Sequence, residues 1–314
     1  MKHVLIDTDP GVDDALALLL AFAARELDIV ALTVVFGNVA LERCLDNTRR
    51  VLRVAGVGRP PPLHAGADGP LSGTPRDSTH VFSDDGLGGV TRLVAEDGAT
   101  RYPAFRVDEE RTPADEAIVD AARRYGADLT VIALGPLTNV ARAHRLDRDA
   151  LRSVREIVIM GGAFHVPGNV TPAAEFNIHC DPLAAREVCG SAARLRWVPL
   201  DATRQAALRE PDLHGRTSRR GEFVRAITRR QLSGEAPEDG EAQCLLHDPL
   251  AVGAVLWPEL LQWTPMHVRV ICDQSADRGR TIGELSTAAA TRSRVALGVD
   301  ADEFRRRFLA ALDN

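Results

Sequence analysis

Lysine occurs once in this chain, at position 2, and no G-x-x-x-x-G-K-[ST] loop is present to cradle phosphates. The five cysteines (Cys44, Cys180, Cys189, Cys244 and Cys272) are an odd number without C-x-x-C spacing, which argues against a disulfide framework and against a thiolate zinc site. Reduced, buried thiols are expected instead. The longest apolar run, Ala15 to Ala24, spans ten residues, about half of what a membrane span needs. Aromatic residues make up 4% of the chain and its net charge is -6; that acidity suits neither nucleic acid nor an anionic membrane as a partner. No charged n-region, apolar h-region and small-residue cleavage site come before the first strand pattern. The expectation is a cytoplasmic protein that binds neither nucleic acid nor membrane.

What is present is an ordinary globular composition, 45% hydrophobic and 26% charged over 314 residues, read as a single domain, 1–314. Short β-rich runs alternate with helical patterns. "HVLID" precedes a helix to about Arg25, "DIVALTVVF" precedes a helix over about 40–55, and a Pro/Gly-rich turn follows at "GRPPPLHAGADGP". Then come a helix in "PADEAIVDAARRYG", a strand in "DLTVIAL", a helix from "PLTNVARAH" and a strand in "VREIVIM". This alternation predicts parallel strands joined by helical crossovers, an α/β fold built as a three-layer αβα sandwich. In that class ligands sit at the carboxyl ends of the strands. Three loops fall there: "DTDPGVDD", Gly37-Asn38, and Gly135-Pro136. The Arg-rich segment 204–243 reads as a solvated helix with a flexible neighbour, and its place in the chain permits a lid.

Between Asp7 and Asp14 stand four carboxylates with no basic side chain among them. Helix capping would use Asp9 as an N-cap and place Asp13 and Asp14 at the positive end of the dipole, which accounts for one or two of the four. Like charges at this spacing raise each other's pKa unless something positive joins them. Oxygen ligands without thiols select a hard cation, Ca²⁺ or Mg²⁺. An EF-hand is excluded, because the twelfth position counted from Asp7 is Leu18 where a bidentate Glu belongs. "DTD" after a first strand also resembles the start of haloacid-dehalogenase-type phosphatases, but those need a later Lys that this chain lacks.

Five motifs in order, "DTDPGVDDALALLLA", "TVVFGN", "ALGPLTNVA", "MGGAF...GNVTPAAEFNIHCDPLAA" and "LLHDPLAV", resemble the nucleoside hydrolases of the inosine/uridine-preferring type. The resemblance implies a Rossmann-like core with a mostly parallel mixed sheet, homodimers or homotetramers, and hydrolysis of ribonucleosides to base and ribose. It implies one Ca²⁺ held by Asp9, Asp14, the backbone carbonyl of Leu134, and Asp248, with Asp9 also the general base. Ribose contacts fall on Asp13, Asn38, Asn169, Glu175 and Asn177, with the main chain near Met160 and the ring of Phe176. His247 matches a histidine that protonates the leaving base. Structural alternatives stand beside several of these. Asp248 before Pro249 is a good N-cap, Glu175 and Asn177 would share one face of an extended strand edge, and Asn139 reads as structural. Where the family carries a histidine before "GLGG", this chain has Phe82 and Ser83, with His80 offset, and 204–243 offers only Phe223 as an aromatic. Two other readings remain: a hydrolase of the same fold acting on a different ribosyl compound, and a non-catalytic ribose- or nucleoside-binding protein.

Overall fold

The computed structural model describes residues 1–72, 84–235, 240–288 and 291–313. His80, Phe82 and Ser83 lie outside the described residues, as do 236–239 within the Arg-rich segment. The strands are β1 (Lys2–Thr8), β2 (Leu27–Val34), β3 (Leu63–Ala65), β4 (Leu129–Ala133), β5 (Glu156–Met160), β6 (Leu195–Val198), β7 (Ala207–Leu208), β8 (Cys244–Leu245), β9 (Leu261–Val270), β10 (Thr281–Leu285) and β11 (Ser293–Val299). The helices are α1 (Val12–Ala23), α2 (Leu41–Ala55), α3 (Ala114–Tyr125), α4 (Thr138–Leu146), α5 (Arg148–Ser153), α6 (Phe176–Cys180), α7 (Pro182–Cys189), α8 (Leu200–Thr203), α9 (Arg219–Leu232), α10 (His247–Leu256) and α11 (Ala301–Leu312).

Among the described residues, nine strands form one sheet in the order β10-β9-β11-β6-β5-β4-β1-β2-β3. Pairing is parallel from β3 across to β11, and antiparallel where β9 joins β11 and β10. The mostly parallel mixed sheet matches the expected α/β class; the antiparallel edge built by β9 and β10 has no counterpart in the strand runs read from the sequence. From β1 the chain steps outward to β2 and β3, then returns to the other side of β1 with β4, β5 and β6. The gap between the carboxyl ends of β1 and β4 is thus the point where the winding reverses, where parallel sheets place their ligands.

Side chains alternate across the sheet because the strand period is two. Val4, Ile6, Ile132 and Val158 enter a core with α1, α2, α9, α10 and α11, while Leu5, Val131, Ile157 and Ile159 enter a second core with α3, α4, α5 and α7. Those two cores, one per face, make the three layers. Helix α1 is apolar almost all round, with Leu16, Leu18, Leu19 and Leu20 fully buried, because it packs between sheet, α2 and α10. Leu16→Ala here would cost about 2–5 kcal/mol. Burial fixes α1 tightly, and its first turn carries Asp13 and Asp14 to the winding-reversal point. Among the described residues no helix is long and apolar enough to cross a membrane.

Helix α9, in the Arg-rich segment, is not solvated on all sides. It buries Phe223, Val224 and Ile227 in the first core, and Arg220 Nη2 donates to the carbonyl of Ala55 at the end of α2 (2.7 Å). Phe223 sets its ring edge-on against Tyr102 at 5.0 Å. With that ring fully buried, it has no face left for a ligand.

Candidate active site

The first acid-bearing loop does not cap α1 as the capping reading supposed. Gly11 is the N-cap, and the cap is made by Asp14, whose Oδ2 accepts from the Gly11 backbone N–H (3.0 Å). Asp14 is wholly buried and filled with donors: Thr8 Oγ1 (2.6 Å) and the Asp9 N–H (3.1 Å) reach its Oδ1, and Asn38 Nδ2 (3.0 Å) reaches its Oδ2. Asp9 is held differently. Its Oδ2 accepts the Asn38 backbone N–H (2.7 Å), its own carbonyl accepts Asn38 Nδ2 (3.1 Å), and its Oδ1 has no hydrogen-bond partner among the described residues. Gly37 and Gly135 press against this carboxylate from both sides. A Cβ at Gly37 would collide with Asp9 Oδ2 and one at Gly135 with Oδ1, so the glycines of "FGN" and "LGP" are there to admit Asp9.

Asp248 arrives from the other side. Helix α10 begins two residues earlier than its Asp-Pro pair suggests, at His247 with Leu246 as N-cap, and no side chain caps that end. Asp248 therefore lies within the first turn, and its Oδ1 has no partner among the described residues. One carboxylate oxygen each from Asp13, Asp14 and Asp248 lie within 4.8 Å of one another. The expected ligand set differs from this group in having Asp9 in place of Asp13; in this structure Asp9 is anchored to the Gly37-Asn38 loop beside it. The start of α10 is pinned by Leu246 N–H donating to the Ala206 carbonyl (2.9 Å) and by the β7–β8 pairing. His247 is half-buried, with Nδ1 2.7 Å from Thr203 Oγ1 at the end of α8.

The remaining expected residues gather around α6, close to the ends of β4 and β5. Glu175 and Asn177 are not on a strand edge: Glu175 is the N-cap of α6 and Asn177 lies in its first turn. Glu175 Oε1 accepts the Asn177 N–H (2.9 Å), and Oε2 accepts those of Gly162 (3.0 Å) and Ile178 (3.2 Å). Asn177 Nδ2 donates to the carbonyls of Leu134 (2.5 Å) and Met160 (3.2 Å), tying the ends of β4 and β5. Asn169, exposed, accepts the Phe176 N–H through Oδ1 (2.9 Å), and the Phe176 ring packs on Val35, Phe36, Ala67 and Cys180. Asn139 is structural as read: Oδ1 accepts the Ala67 N–H (2.8 Å) and Nδ2 donates to Asp7 Oδ1 (2.8 Å) and the Val34 carbonyl (3.1 Å).

Among the described residues no ion pair reaches Asp7, Asp9, Asp14 or Asp248. Burial, then the charge of Asp14, pushes Asp9 well above the ordinary carboxylate range. Burial, then Asp13, Asp14 and Asp9, does the same to Asp248, and burial raises Asp7 to about 7. Glu175 is raised too, by burial working against its backbone donors. His247 goes the other way, down to about 4, through burial and the nearby Arg204 guanidinium. Two helix N-termini, of α1 and α10, aim their positive ends at the acids, and yet burial prevails. Buried carboxylates with empty acceptor positions, all oxygen and no sulfur, fit a hard divalent cation. Thr8, inside the first motif, and Thr203, outside every quoted motif, escaped the reading of single residues.

The chain was compared with known proteins. The profile of the family described as inosine-uridine preferring nucleoside hydrolase matches residues 4–306. Uridine nucleosidase 1 of Arabidopsis thaliana is 36% identical over 86% of this chain and 79% of its own. The pyrimidine-specific ribonucleoside hydrolase RihB of Escherichia coli O157:H7 is 32% identical over 96% and 94%. A solved structure, the purine-preferring ribonucleoside hydrolase from Gardnerella vaginalis, superposes with a TM-score of 0.86 at 28% identity, covering 99% of this chain and 98% of that one. These relatives are N-glycosyl hydrolases, and the chain belongs to the inosine-uridine preferring nucleoside hydrolase family.

Proposed function

We propose that this chain is a Ca²⁺-dependent ribonucleoside N-ribohydrolase that adds water across the bond between ribose C1' and a purine or pyrimidine, giving ribose and free base. Relatives named for uridine and for pyrimidine ribonucleosides make uridine the first substrate to assay. The observation that carries the reading is the meeting of Asp13, Asp14 and Asp248 beside Asp9, with Asp9, Asp14 and Asp248 buried and without an ion pair among the described residues. Asp9, Asp14, Asp248 and the Leu134 carbonyl would hold the ion. Bound there, a hard cation supplies Lewis acidity toward water and a template for ribose hydroxyls.

The chain's own groups do the rest. Asp9 takes a proton from the attacking water at Oδ1, the oxygen that no donor occupies. Asp13, Asn38, Asn169, Glu175 and Asn177, with the main chain at Met160 and the Phe176 ring, hold the ribose. Negative charge on this side stabilises the positive charge that develops on the sugar as the C–N bond breaks. His247, with Nδ1 on the Thr203 hydroxyl, is the group assigned to protonate the departing base; with its pKa held down to about 4 it is neutral at pH 7 and passes a proton on rather than storing one. The assembly proposed is a homodimer or homotetramer, supported by the family resemblance, and the location proposed is the cytoplasm. Reducing-sugar release from uridine, cytidine and inosine tests the reading: ribose from at least one is expected, and none from any of them in the presence of Ca²⁺ would overturn it.

A further inference from the structure

At the amino ends of β5, β6 and β11, the far side of the sheet from Asp9, a pocket of about 490 Å³ is lined by Arg194, Arg196, Arg292 and Arg294 with Glu156 and Thr291. The arginines come in two cross-strand pairs. Arg294 stands opposite Arg196 in the parallel ladder, and the Leu195 N–H donating to the Arg292 carbonyl (2.9 Å) extends the pairing back to Arg194 and Arg292. Residues two apart on a strand share a face, so the four guanidinium groups rise from one side of two adjacent strands. Like charges directly opposite one another destabilise a sheet. Glu156 offsets one of them, pairing with Arg196 at 2.8 Å, while the Arg196 guanidinium lies over the Trp263 ring at 5.0 Å. Among the described residues Arg194, Arg292 and Arg294 have no acidic partner. Elsewhere on this acidic chain exposed arginines do find carboxylates, as Arg145 does with Glu187 and Arg306 with Glu303.

We propose that this pocket binds a phosphate-bearing anion, at a site separate from the acidic crevice. The arginine fork matches phosphate oxygens two at a time, and a volume of this size holds more than a single phosphate. Inorganic pyrophosphate and a nucleoside diphosphate share that chemistry, and the two are told apart by direct titration. The full-length chain, without added divalent cation and at constant ionic strength, is titrated with inorganic phosphate, pyrophosphate and ADP, following tryptophan fluorescence and heat. Saturable binding is expected, with pyrophosphate at least ten-fold tighter than phosphate. ADP tighter than pyrophosphate assigns the site to a nucleotide, and ADP no tighter assigns it to the oligophosphate alone. The Arg194→Ala/Arg292→Ala variant should bind at least ten-fold more weakly with an unchanged melting temperature. A charge-matched control, Arg145→Ala/Arg306→Ala, should bind as the parent does. No saturable binding by any of the three anions, or equal affinity in the two variants, would overturn the proposal.

Discussion

At the carboxyl end of the sheet the like charges are acids sealed from water, and at its amino end they are arginines standing in it. Asp9, Asp14 and Asp248 are buried, whereas Arg194, Arg292 and Arg294 are exposed. Water screens an exposed cluster, so like charges can stand close together there at little cost. A buried cluster has no such relief. Its members must take up protons, as the upward shifts of Asp7, Asp9 and Asp248 show, or share a cation as part of the fold. The two ends of one sheet therefore hold like charges in opposite ways, one set buried and one set in water.

The largest effect expected on breaking this contrast is at Asp9. Asp9→Asn should lower turnover of uridine by roughly two to four orders of magnitude, the range for losing a general base, with the protein still folded. Asp13→Ala should raise KM as well as lower kcat. Equal, mild losses in both, measured by ribose release, would show the cluster to be structural.

A smaller and more selective effect is expected at His247. Assistance to the leaving group matters for a poor one, such as a pyrimidine anion, and little for an activated aryl riboside. His247→Ala should slow uridine cleavage by roughly 10²-fold or more while p-nitrophenyl riboside cleavage changes only a few-fold. An unchanged ratio of the two rates would remove the leaving-group role. In that event Thr203 and His247 would be no more than packing at the start of α10.

The effect of pH on the chelated protein is smaller again. Asp7 moves from the ordinary 3.8 to about 7 in the fold, and Asp9 and Asp248 move in the same direction. Between those values the folded chain holds more protons than the unfolded chain. Stability from these groups is therefore full at low pH and is lost as pH rises through about 7. Thermal melts in chelator should fall in midpoint from pH 5 to pH 8, and added Ca²⁺ should flatten or reverse that slope, because metal ligands bind deprotonated. The smallest effect is at the other end of the sheet, where Arg194→Ala/Arg292→Ala should leave uridine hydrolysis within two-fold of the parent.

The alternation of strand and helix was legible because apolar period two and period 3.6 are local properties, and the loops after β1, β2 and β4 followed from it. The acids of "DTDPGVDD" were legible for the same reason, being crowded within one loop. Other features depend on contacts between distant segments. Glu175 looked like a strand residue until Gly162, brought over from the end of β5, joined Asn177 and Ile178 as its donors. Gly37 and Gly135 are ordinary loop glycines in sequence, and only the folded Asp9 carboxylate between them shows why a side chain is excluded. Asp248 before Pro249 favoured an N-cap locally, but the bond from Leu246 to Ala206 starts the helix earlier. The antiparallel β9 and β10 carry little alternation, with half-exposed residues through much of their length.

The most direct test is a calcium titration into exhaustively chelated protein, with heat of binding and ribose release from uridine measured on the same sample. The account predicts one ion per chain, a melting temperature that rises with occupancy, and activity that returns in proportion to it. Full activity and an unchanged melting temperature in the chelated chain would contradict it.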